Sequence, residues 1–288
     1  MRGQDPNPKE THMAAVSMAA VKELRERLGA GMVDSKNALV EAEGNIEKAI
    51  EILRLKGLKG VAKRGDREAS EGLVAAKQSE GAATMIELVC ETDFVAKNEK
   101  FLALADQVLD AIVAAGAKNA EEALAAPAGD KTVEALITDE AAIIGERIVL
   151  RRVDRIEAPA TAIYLHRTSK DLPPQIGVVV GYEGADDKAA LSIAQHISFA
   201  EPLYVNRDEV PAADVDKERD IVTEISKNEG KPEAALPKII EGRLNAFFKQ
   251  VVLSEQVHAL DAEKREVTKV ADAAGIKVTG FTRCKVGA

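Results

Sequence analysis

Tryptophan is absent from this sequence of 288 residues, and aromatic residues make up only 3% of it. Any hydrophobic core must therefore be built from Ala, Val, Leu and Ile. Only two cysteines occur, Cys90 and Cys284, and they lie far apart without forming a Cys-x-x-Cys pair. Both lie in apolar runs typical of strands, so we expect buried, reduced thiols and a cytoplasmic location.

Long apolar runs and an excess of positive charge are missing as well. No apolar run approaches the length of a membrane span, and the net charge is -9 at pH 7. This composition argues against a membrane partner and against a general nucleic-acid coat. The hydrophobic fraction of 46% and the charged fraction of 30% are typical of a soluble globular protein with two or three domains.

The amino-terminal residues 1–16 have no apolar centre like that of a secretory signal peptide. They resemble vector-derived sequence, and we expect them to be disordered. His12 is therefore not a candidate metal ligand.

Residues 17–57 follow the pattern of three short helices with one apolar side each. Ser17 and Asn45 are suited to cap the first and third helices, and Gly57 is suited to end the third. Residues 58–71 are rich in glycine and charge and have no sustained period, which indicates a basic linker.

From residue 72 the hydrophobic period changes, and the order of a hairpin followed by a helix occurs twice. Residues 72–158 and 159–212 therefore predict an α+β core of two similar subdomains with antiparallel sheets. The strands are expected at 73–76, 84–90, 148–156, 162–167 and 176–182. The helices are expected at 96–115, near 131–136, at 139–146 and at 188–198.

The carboxy-terminal part changes character again. Residues 213–252 carry two apolar helical stripes with a break at 228–232, and they predict a protruding helical hairpin. Such a hairpin would serve as a contact surface, for example in self-association, or would pack onto the body. Residues 253–288 predict a helix near 263–274 and a strand at 277–286 that returns to the core.

The heptapeptide Thr92–Asn98, which reads Thr-Asp-Phe-Val-Ala-Lys-Asn, is the most informative stretch. It places an acid and a large aromatic, Asp93 and Phe94, at a corner between a predicted strand and a predicted helix. In one interpretation Phe94 staples the helix start to the core, and Asp93 supplies an acceptor there. In the other, Phe94 protrudes and inserts into another protein, because aromatic anchors carry much of an interface's binding energy.

Candidate catalytic and metal-binding groups are few. His166, His196 and His258 share no metal-ligand spacing with one another or with either cysteine, and satisfied surface or core roles suit His196 and His258 better. The segment Gly29-Ala30-Gly31 follows a predicted helix and lacks the Gly-Lys-Ser/Thr order of a phosphate loop. We therefore predict a binding protein that is not an enzyme and holds no cofactor.

Two motifs resemble the signatures of a known family. They are Lys22-Glu23-Leu24-Arg25-Glu26-Arg27 with Gly29-Ala30-Gly31-Met32, and Glu91-Thr92-Asp93-Phe94-Val95-Ala96-Lys97-Asn98. The family is bacterial elongation factor Ts, the nucleotide exchange factor of elongation factor Tu, and the resemblance spans Val21 to Gly287. It implies a small three-helix ubiquitin-associated-like domain, a two-subdomain α+β core and a coiled-coil hairpin. It also implies a protein that binds elongation factor Tu with GDP, disturbs its Mg²⁺/phosphate site and promotes GDP release.

The resemblance assigns partner-binding residues by position. The amino-terminal domain would face the GTPase with Arg25, Met32, Val33 and Lys36. The corner would contribute Thr92, Asp93, Phe94 and Val95, of which Asp93 and Phe94 would wedge between partner helices beside the Mg²⁺ site. The core would add Ile144, Gly145 and His166. The additional carboxy-terminal module of some relatives is expected to be absent, since the chain ends at Ala288.

Two other functions stay open on the residues alone. An RNA-binding accessory factor would use the basic linker at 58–71, although the acidic total charge speaks against specific nucleic-acid binding. A hydrolase would need a paired-carboxylate site, and the sequence shows no such constellation.

Overall fold

The computed structural model describes residues 17–28, 32–63 and 65–288, without the side chains of 25–28 and 58–63. The expected disorder of residues 1–16 lies outside the described residues. Helices and antiparallel sheets alternate along the chain, which confirms the α+β class. The division into domains stays a prediction.

Three helices open the described chain and share a small apolar core that includes Val21, Leu24 and Leu39. The predicted caps are confirmed: Ser17 Oγ accepts a hydrogen bond from the main-chain N–H of residue 20, and Asn45 Oδ1 accepts one from that of residue 48, both at 3.0 Å. The likeness to a ubiquitin-associated domain stays a prediction. The helices are α1 (Met18–Leu28), α2 (Met32–Glu41) and α3 (Ile46–Lys63).

The first half of the core is an antiparallel sheet with strand order β1-β2-β5, covered by helices on one face. The middle strand β2 is buried along its whole length, as its apolar run predicts. The strands are β1 (Glu71–Ser79), β2 (Ala82–Cys90), β3 (Pro127–Ala128), β4 (Lys131–Thr132) and β5 (Val149–Glu157). The helices are α4 (Asp93–Ala96), α5 (Glu99–Ala115), α6 (Ala120–Ala125) and α7 (Val133–Ile144).

The second half repeats this arrangement. Its strands are β6 (Ala160–His166), β7 (Ile176–Glu183) and β8 (Lys277–Lys285), in the order β6-β7-β8, and α8 (Asp187–Ala200) covers them. In both sheets a strand from later in the chain pairs with the second strand of a hairpin, and the predicted return of the last strand is confirmed. The two sheets face each other through Val74, Met85, Val179 and Cys284.

Two further helices, α9 (Ala212–Asn228) and α10 (Leu236–Val251), pack against each other. Arg243 Nη2 lies 2.7 Å from Glu229 Oε2 near the turn between them. The base of the pair is anchored by a separate apolar cluster that includes Val210, Phe248 and Val252. The coiled-coil geometry stays a prediction.

The third helix corrects the predicted end at Gly57. It continues to Lys63, so residues 58–63 are helical and not part of an irregular linker. At Gly57 the helix meets α7, and a Cβ atom there would lie 2.7 Å from the Cβ of Ala142. Glycine therefore serves close helix approach here instead of helix termination.

Other helix bounds also differ from the prediction. The expected helix at 96–115 is divided, because Asn98 Oδ1 accepts a hydrogen bond from the N–H of Lys100 at 2.9 Å and starts α5 anew. The expected helices near 131–136 and at 139–146 are the single helix α7, and α6 lacks the apolar stripe that would have predicted it. The closing helix is shorter than 263–274 and comprises α11 (Val267–Ala273), because residues 261–265 form a turn held by an Asp261–Arg265 ion pair.

Candidate partner-binding surface

Phe94 protrudes from the corner between β2 and α5. Its side chain is 79% exposed, so the interpretation of this ring as a staple on the core is wrong. Single exposed apolar residues are common on soluble proteins. A large aromatic ring with this exposure is unusual, because it forgoes the free energy that its burial would contribute. The corner therefore presents a ring that is available to a partner.

The corner itself is built by Thr92. Its main chain is extended, with φ −128° and ψ 153°, and its Oγ1 accepts a hydrogen bond from the N–H of Val95 at 3.4 Å. Thr92 thus caps the short helix α4, and the prediction that Asp93 supplies this acceptor is wrong.

Lys97 braces both neighbouring side chains of the corner. Its Nζ lies 2.7 Å from Asp93 Oδ2 and 5.3 Å from the centroid of the Phe94 ring. The first contact is an ion pair at i,i+4 spacing, and the second is a cation–π contact. Lys97 therefore contacts both the acid and the ring.

The carboxylate of Glu146 holds the corner from the other side. Its Oε2 accepts hydrogen bonds from the N–H groups of Glu91 and Thr92 at 3.1 and 3.0 Å, and its Oε1 accepts one from Thr92 Oγ1 at 2.6 Å. In return, Glu91 Oε1 accepts a hydrogen bond from the N–H of Arg147 at 2.7 Å. The carboxylates of Glu91 and Glu146 thus join the corner to the turn that follows α7. These hydrogen bonds are called the clasp below.

Cys90 adds a fourth restraint on the corner. Its thiol donates a hydrogen bond to the carbonyl oxygen of Thr92 at 3.2 Å. Burial and, next, the charge of Glu146 raise the pKa of Cys90 to about 12, so this group stays a protonated donor at neutral pH. Both cysteines are buried and free, as predicted.

The clasp brings the predicted residues Ile144 and Gly145 to the same region as Thr92–Val95. Gly145 ends α7 with a positive φ of 88°, a conformation that glycine adopts without strain, and Glu146 follows directly. Ile144 is half-buried against the core, and Gly145 is exposed. These residues and the corner thus lie in one segment of the fold, joined through Glu146.

His166 is separate from this segment. It ends β6 and has its Nδ1 3.1 Å from the hydroxyl of Tyr164. Its neighbour Arg167 and the corner residue Lys97 both line a cleft of about 370 Å³. The structure therefore places His166 near this cleft and does not join it to the corner by a hydrogen bond.

The amino-terminal residues form a second surface on α2. Met32 and Val33 are 51% and 70% exposed, and Lys36 is exposed one turn later. The side chain of Arg25 lies outside the described residues. The unit that carries these side chains meets the core through α3 and α7.

Three residues of the surface were not predicted: Cys90 as a donor, Lys97 and Glu146. The i,i+4 spacing of Asp93 and Lys97 is a signal that could have revealed the ion pair. Glu146 lies 54 residues from Thr92 in the chain, and no local pattern links them.

His196 and His258 are buried and stack with their ring centroids 5.3 Å apart, which confirms their core role. Over the part of the chain that the structure describes, no group of three His, Cys, Asp or Glu side chains could hold a metal ion, and no helix combines the length and apolar character that crossing a membrane requires.

In the linker, Arg67 Nη1 pairs with Glu91 Oε2 at 3.0 Å, so this base is engaged within the protein.

Comparisons with known proteins agree with the motifs. A family profile described as Elongation factor TS matches residues 91–288. The chain is 68% identical over 276 residues to Elongation factor Ts of Clavibacter sepedonicus and 65% identical over 277 residues to that of Leifsonia xyli subsp. xyli. It is 50% identical over 275 residues to Elongation factor Ts of Tropheryma whipplei, and each of the three alignments covers 96% of this chain and 100% of the relative. The chain therefore belongs to the elongation factor Ts family of translation elongation factors.

Proposed function

We propose that this protein is a guanine nucleotide exchange factor that binds elongation factor Tu in its GDP form and promotes GDP release. The observation that carries the proposal is the Phe94 ring, 79% exposed at a corner that Lys97 and Glu146 hold in place. Family membership supports the choice of partner. The protein contributes no chemical step of its own.

The mechanism follows from what holds GDP in a GTPase. Loop amides and a coordinated Mg²⁺ bind the phosphates, and both require tight geometry. Phe94 enters a gap between partner helices beside the Mg²⁺ site, and Asp93 accompanies it. The helices shift, the water and side-chain ligands of Mg²⁺ move with them, and the phosphate charge is left uncompensated. GDP then dissociates faster.

A braced corner suits this role better than a flexible loop. A ring that could swing away would yield to the partner helices instead of displacing them, and ordering it on binding would weaken the complex. The ion pair, the cation–π contact and the clasp by Glu146 fix the corner before the partner arrives. Binding free energy is therefore available to distort the GDP site.

The second surface supplies affinity at a distance from the nucleotide. Met32, Val33 and Lys36, together with Arg25, contact the GTPase from the amino-terminal unit. Ile144, Gly145 and His166 add contacts from the core. Coupling between the two ligands is reciprocal, so GDP weakens binding of this protein by the factor by which this protein weakens binding of GDP. GTP then displaces the factor.

Release of a fluorescent GDP analogue from a bacterial elongation factor Tu tests the proposal directly. In stopped-flow experiments the release rate should rise with the concentration of the full chain and then saturate. The nucleotide-free complex should form with one-to-one stoichiometry and should separate when GDP is added. A release rate that stays at its spontaneous value at micromolar concentrations of the chain would rule the proposed function out.

A further inference from the structure

We infer that Glu146 is the positioning residue of the exchange reaction, because its carboxylate fixes the direction in which Phe94 leaves the corner. The inference rests on the proposed function. Glu146 does not need to touch the GTPase for this role, since it acts through the main chain of Thr92, two residues before the ring.

The main chain at the corner needs an acceptor from elsewhere. Pairing between β1 and β2 ends with Glu71 and Cys90, so the N–H groups of Glu91 and Thr92 lie beyond the sheet. Polar main-chain groups that are partly buried need a partner. Glu146 Oε2 serves both of them, at 3.1 and 3.0 Å.

The third hydrogen bond orients the cap of α4. Thr92 Oγ1 donates to Glu146 Oε1 at 2.6 Å, which leaves its lone pair directed to the N–H of Val95 at 3.4 Å. The carboxylate therefore sets the hydroxyl that starts the helical turn carrying Phe94. Without this carboxylate, the Thr92 hydroxyl is free to rotate, and the first turn of α4 loses its fixed orientation.

The chemistry of the site favours a carboxylate. All three partners of Glu146 are donors, and an ionised carboxylate is an acceptor at both oxygens. A glutamine keeps one acceptor for the two N–H groups but turns an NH₂ group toward Thr92 Oγ1, so the hydroxyl would accept from it instead of donating. Glu146→Gln should therefore retain part of the positioning effect, whereas Glu146→Ala should lose it.

The fold should survive removal of this side chain, because other contacts hold the same turn. Glu91 Oε1 accepts a hydrogen bond from the N–H of Arg147 at 2.7 Å, and the next residue, Ile148, is buried in the core. Loss of Glu146 should thus loosen the corner and leave the sheet intact.

The decisive experiment is a double-mutant cycle on GDP release. Glu146→Ala should lower the maximal release rate about tenfold and change the half-saturating concentration less, while Glu146→Gln should recover part of the rate. When Phe94→Ala is already present, Glu146→Ala should slow release by no more than about twofold, since the residue it positions is gone. Additive losses in the cycle, or a parent-like rate for Glu146→Ala, would overturn the inference.

Glu209→Ala provides the matched control. The carboxylate of Glu209 also accepts a main-chain hydrogen bond, from the N–H of Val205 at 3.0 Å, but it lies in the turn before α9. Its removal should leave the maximal release rate within about twofold of the parent. A loss equal to that of Glu146→Ala would assign both effects to general destabilisation and would contradict the inference.

A second readout does not depend on the GTPase. Because the sequence contains no tryptophan, Phe94→Trp creates a single reporter at the corner. The anisotropy decay of this tryptophan should gain a fast component of larger amplitude when Glu146→Ala is added. Unchanged decay would reject the positioning role even where exchange occurs. Failure of the parent protein to accelerate GDP release would reject the proposed function and leave this test of Glu146 standing.

Discussion

Gly57 of α3 lies against Ala142 of α7 so closely that a Cβ atom on residue 57 would stand 2.7 Å from both the Cβ and the carbonyl oxygen of Ala142. The partly buried carboxylate of Asp139 accepts hydrogen bonds from side chains on both sides of this contact. Burial tends to raise the pKa of Asp139, but the bonds from Lys131 and Arg54 outweigh it and lower that pKa. The amino-terminal unit is thus docked on the helix that ends at Gly145.

Gly57→Ala should destabilise the protein, because the added methyl group has no room unless α3 moves away from α7. We expect the free energy of unfolding in urea to fall by about 1–3 kcal/mol. Gly242→Ala is the control: it lies inside α10, and apart from the neighbouring backbone of its own helix no described atom is within 4 Å of the added Cβ. That substitution should stabilise the protein by up to about 1 kcal/mol. Equal stability of the Gly57→Ala variant and the parent would show that the helices do not meet as described.

The two uses of glycine explain one limit of the sequence-based predictions. A glycine after a helical stripe predicts a helix end, and Gly145 ends α7 in this way with a φ of 88°. Gly57 occurs in a similar local context but is required for close approach to Ala142, which is 85 positions away in sequence. By contrast, the six longer strands and the order of hairpin and helix were predicted well, because alternation and turn residues are local signals, whereas the two-residue strands β3 and β4 were not predicted.

The candidate surface was predicted only where its pattern is local. The heptapeptide identified the corner, but burial of Phe94 could not be decided from residues that suit a staple as well as a probe. The distinction is made by the exposure of the ring, which Lys97 contacts, and by Glu146, which bonds the main chain two residues before it. The second of these joins the site through the turn after α7, so only the folded chain reveals it.

Phe94→Ala should slow GDP release from elongation factor Tu at least tenfold at limiting factor concentration, an effect equivalent to about 1.4 kcal/mol or more. In the proposed function, the ring is the part of the corner that enters the partner. Because the ring is 79% exposed, the free energy of unfolding should change by less than about 0.5 kcal/mol. Stopped-flow release and urea unfolding measure the two quantities.

The control for this variant is Phe199→Ala, which removes another exposed ring, 57% accessible, from α8. It should leave the release rate within about twofold of the parent. If Phe94→Ala releases GDP at the parental rate while the control behaves as expected, the wedge role is refuted.

The double variant Met32→Ala/Val33→Ala should weaken association without slowing the exchange step. These side chains are 51% and 70% exposed on α2, which packs mainly against its neighbouring helices α1 and α3. Loss of apolar contact should raise the half-saturating factor concentration by about tenfold and leave the maximal release rate unchanged. Leu55→Ala, which removes a 55% exposed side chain from α3, should change neither quantity. A fall in the maximal rate would place α2 in the exchange step itself.

The buried histidine pair gives the protein a defined response to acid. His196 Nδ1 accepts a hydrogen bond from the N–H of Ala259, and His258 Nδ1 accepts one from the N–H of Leu260, both at 3.2 Å. Protonation of either Nδ1 would set a donor against a donor in a buried site. Burial is the main cause that lowers the pKa of both histidines.

The charged groups nearest to this pair do not change over the same pH range. Hydrogen bonds from Arg265 lower the pKa of Asp261 to about 2, so this carboxylate stays ionised from pH 7 to pH 5. Arg265 itself keeps its positive charge, because the bond to Asp261 raises its pKa. Any change of stability with pH that these residues contribute between pH 7 and pH 5 must therefore come from the rings of His196 and His258.

Stability should consequently fall as the pH drops below about 6.5, where the histidines of the unfolded chain take up protons and the folded ones stay neutral. The loss should approach about 1.4 kcal/mol per pH unit for each histidine until the pH reaches its lowered folded-state pKa. Urea unfolding at pH 7, 6 and 5 should show a clearly smaller slope for His196→Gln/His258→Gln than for the parent. Phe199→Leu removes the ring that packs edge-on against His196, with the ring centroids 5.9 Å apart, but keeps both histidines. This variant should retain the parental slope of stability against pH. Parallel slopes for the parent and the double variant would show that the pair takes up protons in the folded state as readily as in the unfolded one.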